Sequence, residues 1–398
     1  MEQQQIEIPS YFLCPISLEL MQDPVTLLTG ITYDRSSIEK WLVTNKPHTC
    51  PVTRQPLSDL TLTPNHTLCR LIQSWCDANS AYGYEPPPTP KPPVDLDHLA
   101  NLLASAQKPA TRVESLREIK SIVSESETNR RHVLSTPGMV TFLASLVTEQ
   151  SSLNEALSIL CSLHLSESNI IEIIEQHGDI MDSLAVVLQS KSANYIRSYA
   201  VQFLRSITEH VSPTRLVNVQ QELFQELVNT VRDQVMTKSA LYVLAGLCPY
   251  GRNRIKAVRA GAVPVLIQML LDEPERRICE LALVVLDRLC GCAEGRAEVA
   301  SHPTGIAIVE KKILRVSHLA TERAVRILWL VARHVATPAV LHEMVQVGAV
   351  NKLCLVLQSE DCGAKAKEKA MDVLRLHHNV WRNSPCLLPQ FLKLYPSC

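Results

Sequence analysis

From about residue 95 onward the chain repeats itself every 42 residues or so, and no other feature constrains its fold as tightly. Gly138-Met139-Val140, Gly178-Asp179-Ile180, Gly261-Ala262-Val263, Gly305-Ile306-Ala307 and Gly348-Ala349-Val350 each open an apolar helical stretch. Their spacings are 40, 83, 44 and 43 residues, the longest covering two units. A second phase runs alongside. Ala156-Leu157, Ala200-Val201, Ala240-Leu241, Ala282-Leu283, Ala324-Val325 and Ala370-Met371 open the later helix of each unit, at steps of 44, 40, 42, 42 and 46. A helix-only period of this length predicts about six stacked units. No unit can bury its apolar face alone, so each is hidden only against its neighbours. The pattern blurs between Val217 and Val231, where Gln or Glu replaces the glycine.

A chain of 398 residues with 46% hydrophobic content has room for two or three domains. Pro86-Pro87-Pro88-Thr89-Pro90-Lys91-Pro92-Pro93 lacks the backbone donors for helix or sheet and predicts an extended spacer. The domain plan is therefore a small module over 7–81, a proline-rich linker over 82–94 and the repeat array over 95–398. The 39 basic and 40 acidic residues leave a net charge of −1 and no long basic stripe, which argues against nucleic acid as a partner. Apolar runs such as Gly261 to Leu271 are too short to cross a bilayer, so no integral membrane segment is expected. Met1 to Ile8 lacks the layout of a secretory signal. The expectation is a soluble cytoplasmic protein, with nuclear or peripheral membrane association also compatible. The 13 cysteines form no disulfide framework, and Cys290-Gly291-Cys292 lacks metal-ligand spacing. No cofactor or metal is expected.

The module mixes short apolar runs with turn signals. Thr29-Gly30-Ile31-Thr32-Tyr33 reads as a tight turn entering a strand. Asp34 reads as the N-cap of a helix whose apolar face carries Ile38, Trp41 and Leu42. A second helix follows Pro64, capped by Asn65, with Leu68, Leu71, Ile72 and Trp75 on one side. An α+β module this small is marginal unless something staples it.

Two families fit these residues. Gly261-Ala262-Val263-Pro264-Val265-Leu266 and Gly348-Ala349-Val350 resemble the start of an armadillo third helix, with Ala282-Leu283 in the stretch after it. The module resembles a U-box: Ile8-Pro9, Phe12, Cys14-Pro15-Ile16-Ser17-Leu18-Glu19-Leu20-Met21, Asp23-Pro24-Val25, Gly30-Ile31-Thr32-Tyr33-Asp34-Arg35, Trp41-Leu42, Cys50-Pro51-Val52-Thr53-Arg54 and Pro64-Asn65 fall in order. That is a RING-like outline without zinc ligands, since two cysteines cannot hold two zinc ions. The fold class expected is a small zinc-free α+β U-box followed by an all-α armadillo superhelix.

The resemblance implies a ubiquitin-protein ligase of the plant U-box–armadillo kind. Such a protein docks a ubiquitin-charged conjugating enzyme and a protein substrate on its repeats, often in stress or immune signalling. Ubiquitin moves from the carrier's thioester to a substrate lysine, so no catalytic nucleophile is required of the ligase; proximity does the work. By resemblance Ile16, Leu18, Trp41, Pro51 and Asn65 serve conjugating-enzyme binding. Arg54 takes the place of a bridging cation. Asp23, Asp34, Arg35 and Glu39 are the candidates for the polar network that replaces zinc. Cys14 and Cys50 are expected to be small packing residues. Thr63 and Thr89 precede prolines and are candidate phosphorylation sites, with altered activity or self-association as the consequence. The alternative is a non-catalytic armadillo adaptor with an inactive module. A nuclear-import receptor would need Trp and Asn ladders, whereas the array has only Trp329 and Trp381. A ligase forming its own thioester would need a reactive cysteine.

Overall fold

The computed structural model describes residues 8–44, 48–86, 94–190, 194–217, 219–272 and 275–381. The chain divides into two units at residues 93 and 94, each with its own apolar core. The linker prolines 87–93 and Thr89 lie outside the described residues.

In the first unit, β1 (Pro24–Thr26) and β2 (Thr32–Asp34) pair antiparallel with Val25 opposite Tyr33. Gly30, at φ 79°, makes the turn between them, and its amide donates to the Leu27 carbonyl at 2.8 Å. α1 (Arg35–Thr44) follows without a break and buries Ile38 and Leu42. β3 (Thr63–Pro64) adds to the free edge of β1, and α2 (His66–Ala78) leads on from it. Asn65 caps α2 as expected, its Oδ1 accepting the Leu68 amide at 3.0 Å. Leu71 departs from expectation and is 53% exposed. The 3.6-residue period aligns Cys69, Ile72 and Cys76 instead, and these are buried. Asp34 departs too: its recorded bonds go to loop residues and to Ser36, not to the first amides of α1. Phe12, Met21, Val25, Tyr33, Ile38 and Ile72 fill the core.

The second unit opens with α3 (Leu96–Ala106) and α4 (Arg112–Glu125). Among the described residues six units of three helices follow. The first is α5 (Glu127–Ser135), α6 (Met139–Thr148) and α7 (Leu153–Ser162). The second is α8 (Glu167–Gln176), α9 (Ile180–Gln189) and α10 (Asn194–His210). The third is α11 (Pro213–Leu216), α12 (Gln221–Arg232) and α13 (Thr237–Leu247). The fourth is α14 (Asn253–Arg259), α15 (Ala262–Leu271) and α16 (Arg276–Leu289). The fifth is α17 (Ala293–Ser301), α18 (Gly305–Lys312) and α19 (His318–His334). The sixth is α20 (Pro338–Gln346), α21 (Ala349–Gln358) and α22 (Ala364–Leu376), with α23 (His378–Trp381) after it.

Third helices pack on third helices in series from α4 to α22, and second helices on second helices from α6 to α21. The repeated alanines lie in these third helices, one to two turns in rather than at their start. All six are fully buried, because a side chain larger than methyl would hold adjacent helices apart. The repeated glycines open the second helix of each unit, not the third. Only Gly138, Gly261 and Gly348 share a left-handed backbone, at φ 75°, 80° and 84°. Gly305 is needed for closeness: a Cβ there would lie 2.1 Å from the Val299 carbonyl oxygen.

The third unit, where the sequence pattern blurs, has a first helix of four residues. Its second helix begins from Gln220 in extended conformation, which any side chain adopts. Two carbonyls, one at the end of the short first helix and one after it, are satisfied from the next unit. Asn253 Nδ2 donates to the Leu216 carbonyl at 2.6 Å, and Lys256 Nζ donates to that of Val219 at 2.5 Å. Among the described residues no single helix is long and apolar enough to cross a membrane.

Candidate functional site

Two segments of the first unit are copies of one loop. Isolated bridges close them, Leu13 with Leu20 and Thr49 with Pro56. The Cys14 amide donates to the Glu19 carbonyl at 2.8 Å, and the Cys50 amide to that of Gln55 at 2.9 Å. The amides of Leu18 and Arg54 return to the Cys14 and Cys50 carbonyls, both at 2.8 Å. Ser17 Oγ accepts the Glu19 amide and Thr53 Oγ1 that of Gln55, both at 3.4 Å. Leu18 and Arg54 even share a left-handed backbone, at φ 59° and 57°. For a residue with a side chain that conformation costs about 1–2 kcal/mol, so the loop closure must outweigh it.

Consecutive residues of β2 hold the two loops. The Asp34 amide donates to Cys14 Sγ at 3.3 Å. The Tyr33 hydroxyl lies 3.1 Å from Cys50 Sγ, and Thr29 Oγ1 donates to the same sulfur at 3.4 Å. Burial alone would raise the Cys50 thiol, but the hydrogen bonds from Thr29, Thr53 and Tyr33 outweigh it and hold the pKa at about 6. Burial and the bond to Cys50 push Tyr33 up in turn, so the phenol is the donor. Cys14 is lowered on the same logic: burial acts upward, and the amides of Ser17, Asp34 and Ile16 prevail. The two sulfurs are thus hydrogen-bond acceptors at the centre of each loop as well as packing groups.

Asp23, Asp34, Arg35 and Glu39 lie close together, joined by hydrogen bonds and ion pairs. Asp34 Oδ1 accepts the amides of Gln22 and Asp23 at 2.8 and 3.0 Å, and its Oδ2 accepts the Ser36 hydroxyl at 2.8 Å. Arg35 Nε donates to Asp23 Oδ2 at 2.5 Å, and its amide to the Asp23 carbonyl at 2.9 Å. Glu39 Oε1 lies 4.0 Å from Arg35. Asp23 Oδ1 is buried without a partner. Among the described residues no three His, Cys, Asp or Glu side chains converge as metal ligands. Sequence reasoning missed Ser36, whose hydroxyl bonds to Asp34, and Tyr33 and Thr29, whose hydroxyls hold Cys50 Sγ.

Above this frame sit the expected docking residues. Ile16 and Pro51 are half-buried, Leu18 is 73% exposed, and Arg54 is exposed. Trp41 is half-buried, its indole N–H donating to the Thr49 carbonyl at 3.0 Å, which ties α1 to the second loop. Val52, 52% exposed, is the counterpart of Ile16 in the second loop and was not foreseen. The repeated Cys-Pro-x-Ser/Thr at 14 and 50 is the sequence signal that would have found it. Asn65 stands apart. Its Nδ2 donates to Thr32 Oγ1 at 3.3 Å and its amide to the Pro24 carbonyl at 2.8 Å, so its recorded bonds serve the hairpin and α2 rather than the second loop. Thr63 is exposed on β3, opposite Thr26.

Residues 8–81 match the U-box domain family, and residues 95–396 match the plant U-box protein ARM repeat region. The chain belongs to the plant U-box ubiquitin ligases. Among its plant U-box relatives, the E3 ubiquitin-protein ligase PUB23 of Arabidopsis thaliana is 48% identical over 406 residues, covering 99% of this chain and 98% of the relative. PUB22 of Arabidopsis thaliana, also an E3 ubiquitin-protein ligase, is 43% identical over 436 residues, covering 99% and 100%. The fold of the array is shared more widely. A chain from a study of the phosphorylation-switched interaction between cadherin and beta-catenin superposes with a TM-score of 0.61 at 14% identity, covering 80% of this chain and 58% of that one. An engineered protein superposes with a TM-score of 0.54 at 20% identity, covering 71% and 67%. The U-box followed by armadillo repeats is therefore the architecture of this ligase, as the sequence predicts.

Proposed function

We propose that the U-box docks a ubiquitin-charged conjugating enzyme and that the armadillo array holds the protein whose lysines receive the ubiquitin. The observation that carries this is the pair of loops clamped by Tyr33 and Asp34. They hold Ile16, Leu18, Pro51 and Arg54 on a fixed frame, with Trp41 tied to the second loop. Apolar and aromatic anchors of this kind carry most of an interface's energy. Arg54 is free to donate to the carrier and to ubiquitin together, closing them into a reactive pair. The ligase supplies arrangement rather than a nucleophile. Burial pushes Cys161 and Cys248 up to about 12 and Cys354 up to about 11, and Cys50, though lowered, is 1% exposed. None of these thiols suits a thioester relay.

Purified protein with ubiquitin, activating enzyme, conjugating enzymes and ATP tests the proposal. Self-modification should disappear in Ile16→Ala and Trp41→Ala while both stay folded. Full activity in both would defeat it, and absence of activity in the native chain would favour the adaptor alternative. A chelator should leave the rate unchanged.

Stress or immune signalling belongs to the same proposal and rests on family resemblance, and a cytoplasmic location is proposed with it. Control at Thr63 belongs to it as well. A phosphate there would add charge just before the N-terminus of α2, where the helix dipole favours it, so activity or self-association should change without unfolding. Unchanged ligase activity in Thr63→Glu would count against that control.

A further inference from the structure

A cleft of about 310 Å³ opens at the edge of the array where second helices turn into third ones. Three successive units line it. Arg276 is the first residue of α16, Leu314, Arg315 and His318 lie on the stretch from α18 into α19, and Ser359 and Asp361 lie between α21 and α22. A volume of this order is at the small end for a ligand site, so it suits one side-chain-sized group.

The donors of this cleft are unused. Among the described residues the side chains of Arg315, His318 and Ser359 have no partner. Arg315 and His318 are exposed, and Ser359 is half-buried. Arg276 bonds Glu280 through Nε alone, at 3.4 Å, and its side chain is 71% exposed. The fold itself needs none of these groups. Ser317 Oγ already caps α19 by accepting the Ala320 amide at 3.2 Å, and Thr321 Oγ1 closes the loop by accepting that of Leu314 at 3.0 Å. Other arginines of the array are taken: Arg197 by Asp233, Arg205 by Glu209, Arg323 and Arg326 by Asp287.

Two guanidinium groups, an imidazole and a hydroxyl, carried by three separate connections, suit an acceptor with oxygens on more than one side. A phosphate monoester has three such oxygens and a charge of about −1.5 to −2, and arginine meets it with two parallel N–H bonds. A carboxylate has two oxygens in one plane and engages a single fork. Asp361 is the one carboxylate in the lining, and it bears on what carries the phosphate. It repels a free phosphate ion, but it accepts a backbone N–H, which a peptide supplies on either side of a modified residue. Leu314, 41% exposed, gives an apolar neighbour of that residue a surface to rest on. We propose that this cleft binds a phosphoserine or phosphothreonine side chain of a partner protein. The proposal rests on the reading that the array holds a protein, and it adds one phosphate-selected contact at the loop edge, away from the packed faces of the third helices.

The test is phosphorus NMR of N-acetyl-phosphothreonine amide titrated with full-length protein, beside inorganic phosphate and inositol hexakisphosphate. The amide resonance should broaden and saturate, and inorganic phosphate should bind about tenfold or more weakly. Arg315→Gln should weaken the amide about tenfold, as loss of a charge-assisted hydrogen bond does. Its helical melting should match that of the native chain, because the native side chain bonds nothing in the fold. Arg333→Gln, which removes a cation stacked on Trp329 elsewhere on α19, should bind as the native chain does. Undiminished binding in Arg315→Gln, an equal loss in Arg333→Gln, or no saturable binding overturns the proposal. So does tighter binding of inorganic phosphate or inositol hexakisphosphate than of the amide. Ubiquitin discharge, measured without the amide, reports separately on the U-box: its failure while phosphate binding holds would sink the docking reading alone.

Discussion

Leu18 and Arg54 occupy one and the same place in two copies of a loop, 36 positions apart, each amide 2.8 Å from the carbonyl of a cysteine. Both side chains leave a left-handed backbone into solvent, so their identity matters little to folding. Leu18→Gly and Arg54→Gly should leave the U-box within about 1 kcal/mol of its native stability, since relief at positive φ offsets the greater freedom of glycine in the unfolded chain. Each should slow discharge of ubiquitin from a charged conjugating enzyme about tenfold or more. Urea unfolding and single-turnover discharge separate the two effects. A variant that unfolds, or one that discharges at the native rate, contradicts the assignment.

Val52 should behave as Ile16 does. Val52→Ala removes exposed apolar surface, whereas Ile16 is half-buried and packs against the core, so urea unfolding of Ile16→Ala must accompany its activity. Both should reduce discharge by about fivefold or more, read as a weaker apparent affinity for the charged carrier. Loss in Ile16→Ala alone would mean that only the first loop touches the carrier.

Asp34 is the member of the polar network with most to lose. Asp34→Ala strands two backbone amides, those of Gln22 and Asp23, at a cost of about 2–4 kcal/mol. Hydrogen exchange should then show protection lost over residues 8–81 and kept in the array. Asp34→Asn retains an acceptor and should lose less. Uniform loss across the whole chain would contradict the independence of the two cores.

Cys50 gives the U-box a pH dependence. Its thiol titrates at about 6 in the folded state and at about 8.5 when unfolded. The folded state therefore binds fewer protons between those values. The stability from this group is complete above the unfolded pKa, declines as pH falls, and is gone below the folded one. Hydrogen-exchange protection of residues 8–81 should drop over that window, and Cys50→Ser should flatten the drop. Cys14, lowered by its amide hydrogen bonds, acts in the same direction. Protection that rises on acidification would refute the assignment.

Gly305→Ala should weaken the array by about 1–3 kcal/mol, since its Cβ would meet the Val299 carbonyl at 2.1 Å. Gly178→Ala meets nothing within 4 Å and has no positive φ, so it should melt as the native chain does. Thermal unfolding of the helical signal distinguishes the two.

What the sequence made legible was local pattern and regular repeat. The Asn65 cap and the Ile38 and Leu42 face of α1 follow from neighbours a few residues away, and the buried alanines follow from the period near 42 residues. The Asp34 cap failed because its carboxylate is taken by amides 11 and 12 residues upstream, which no helix rule contains. Leu71 failed because the buried stripe of α2 runs through Cys69, Ile72 and Cys76, one position off the face that the leucine occupies. Val52 was invisible for another reason. An exposed valine in a loop has no pattern of its own until the loop is seen to repeat one that already carries Ile16. The roles of Cys14 and Cys50 were half legible: burial was expected, but the donors converging on their sulfurs come from β2 and from the loops.

The bonds from Asn253 and Lys256 to the short third unit have a consequence for how the array fails. In a stack where each member touches only its neighbours, a weak middle member divides one cooperative transition into two. Those two side chains add their hydrogen bonds to the packing of α13 on α10 and of α12 on α9 that couples the stretches before and after residue 217. Asn253→Ala should loosen that coupling, which calorimetry would show as a broader transition than the native one.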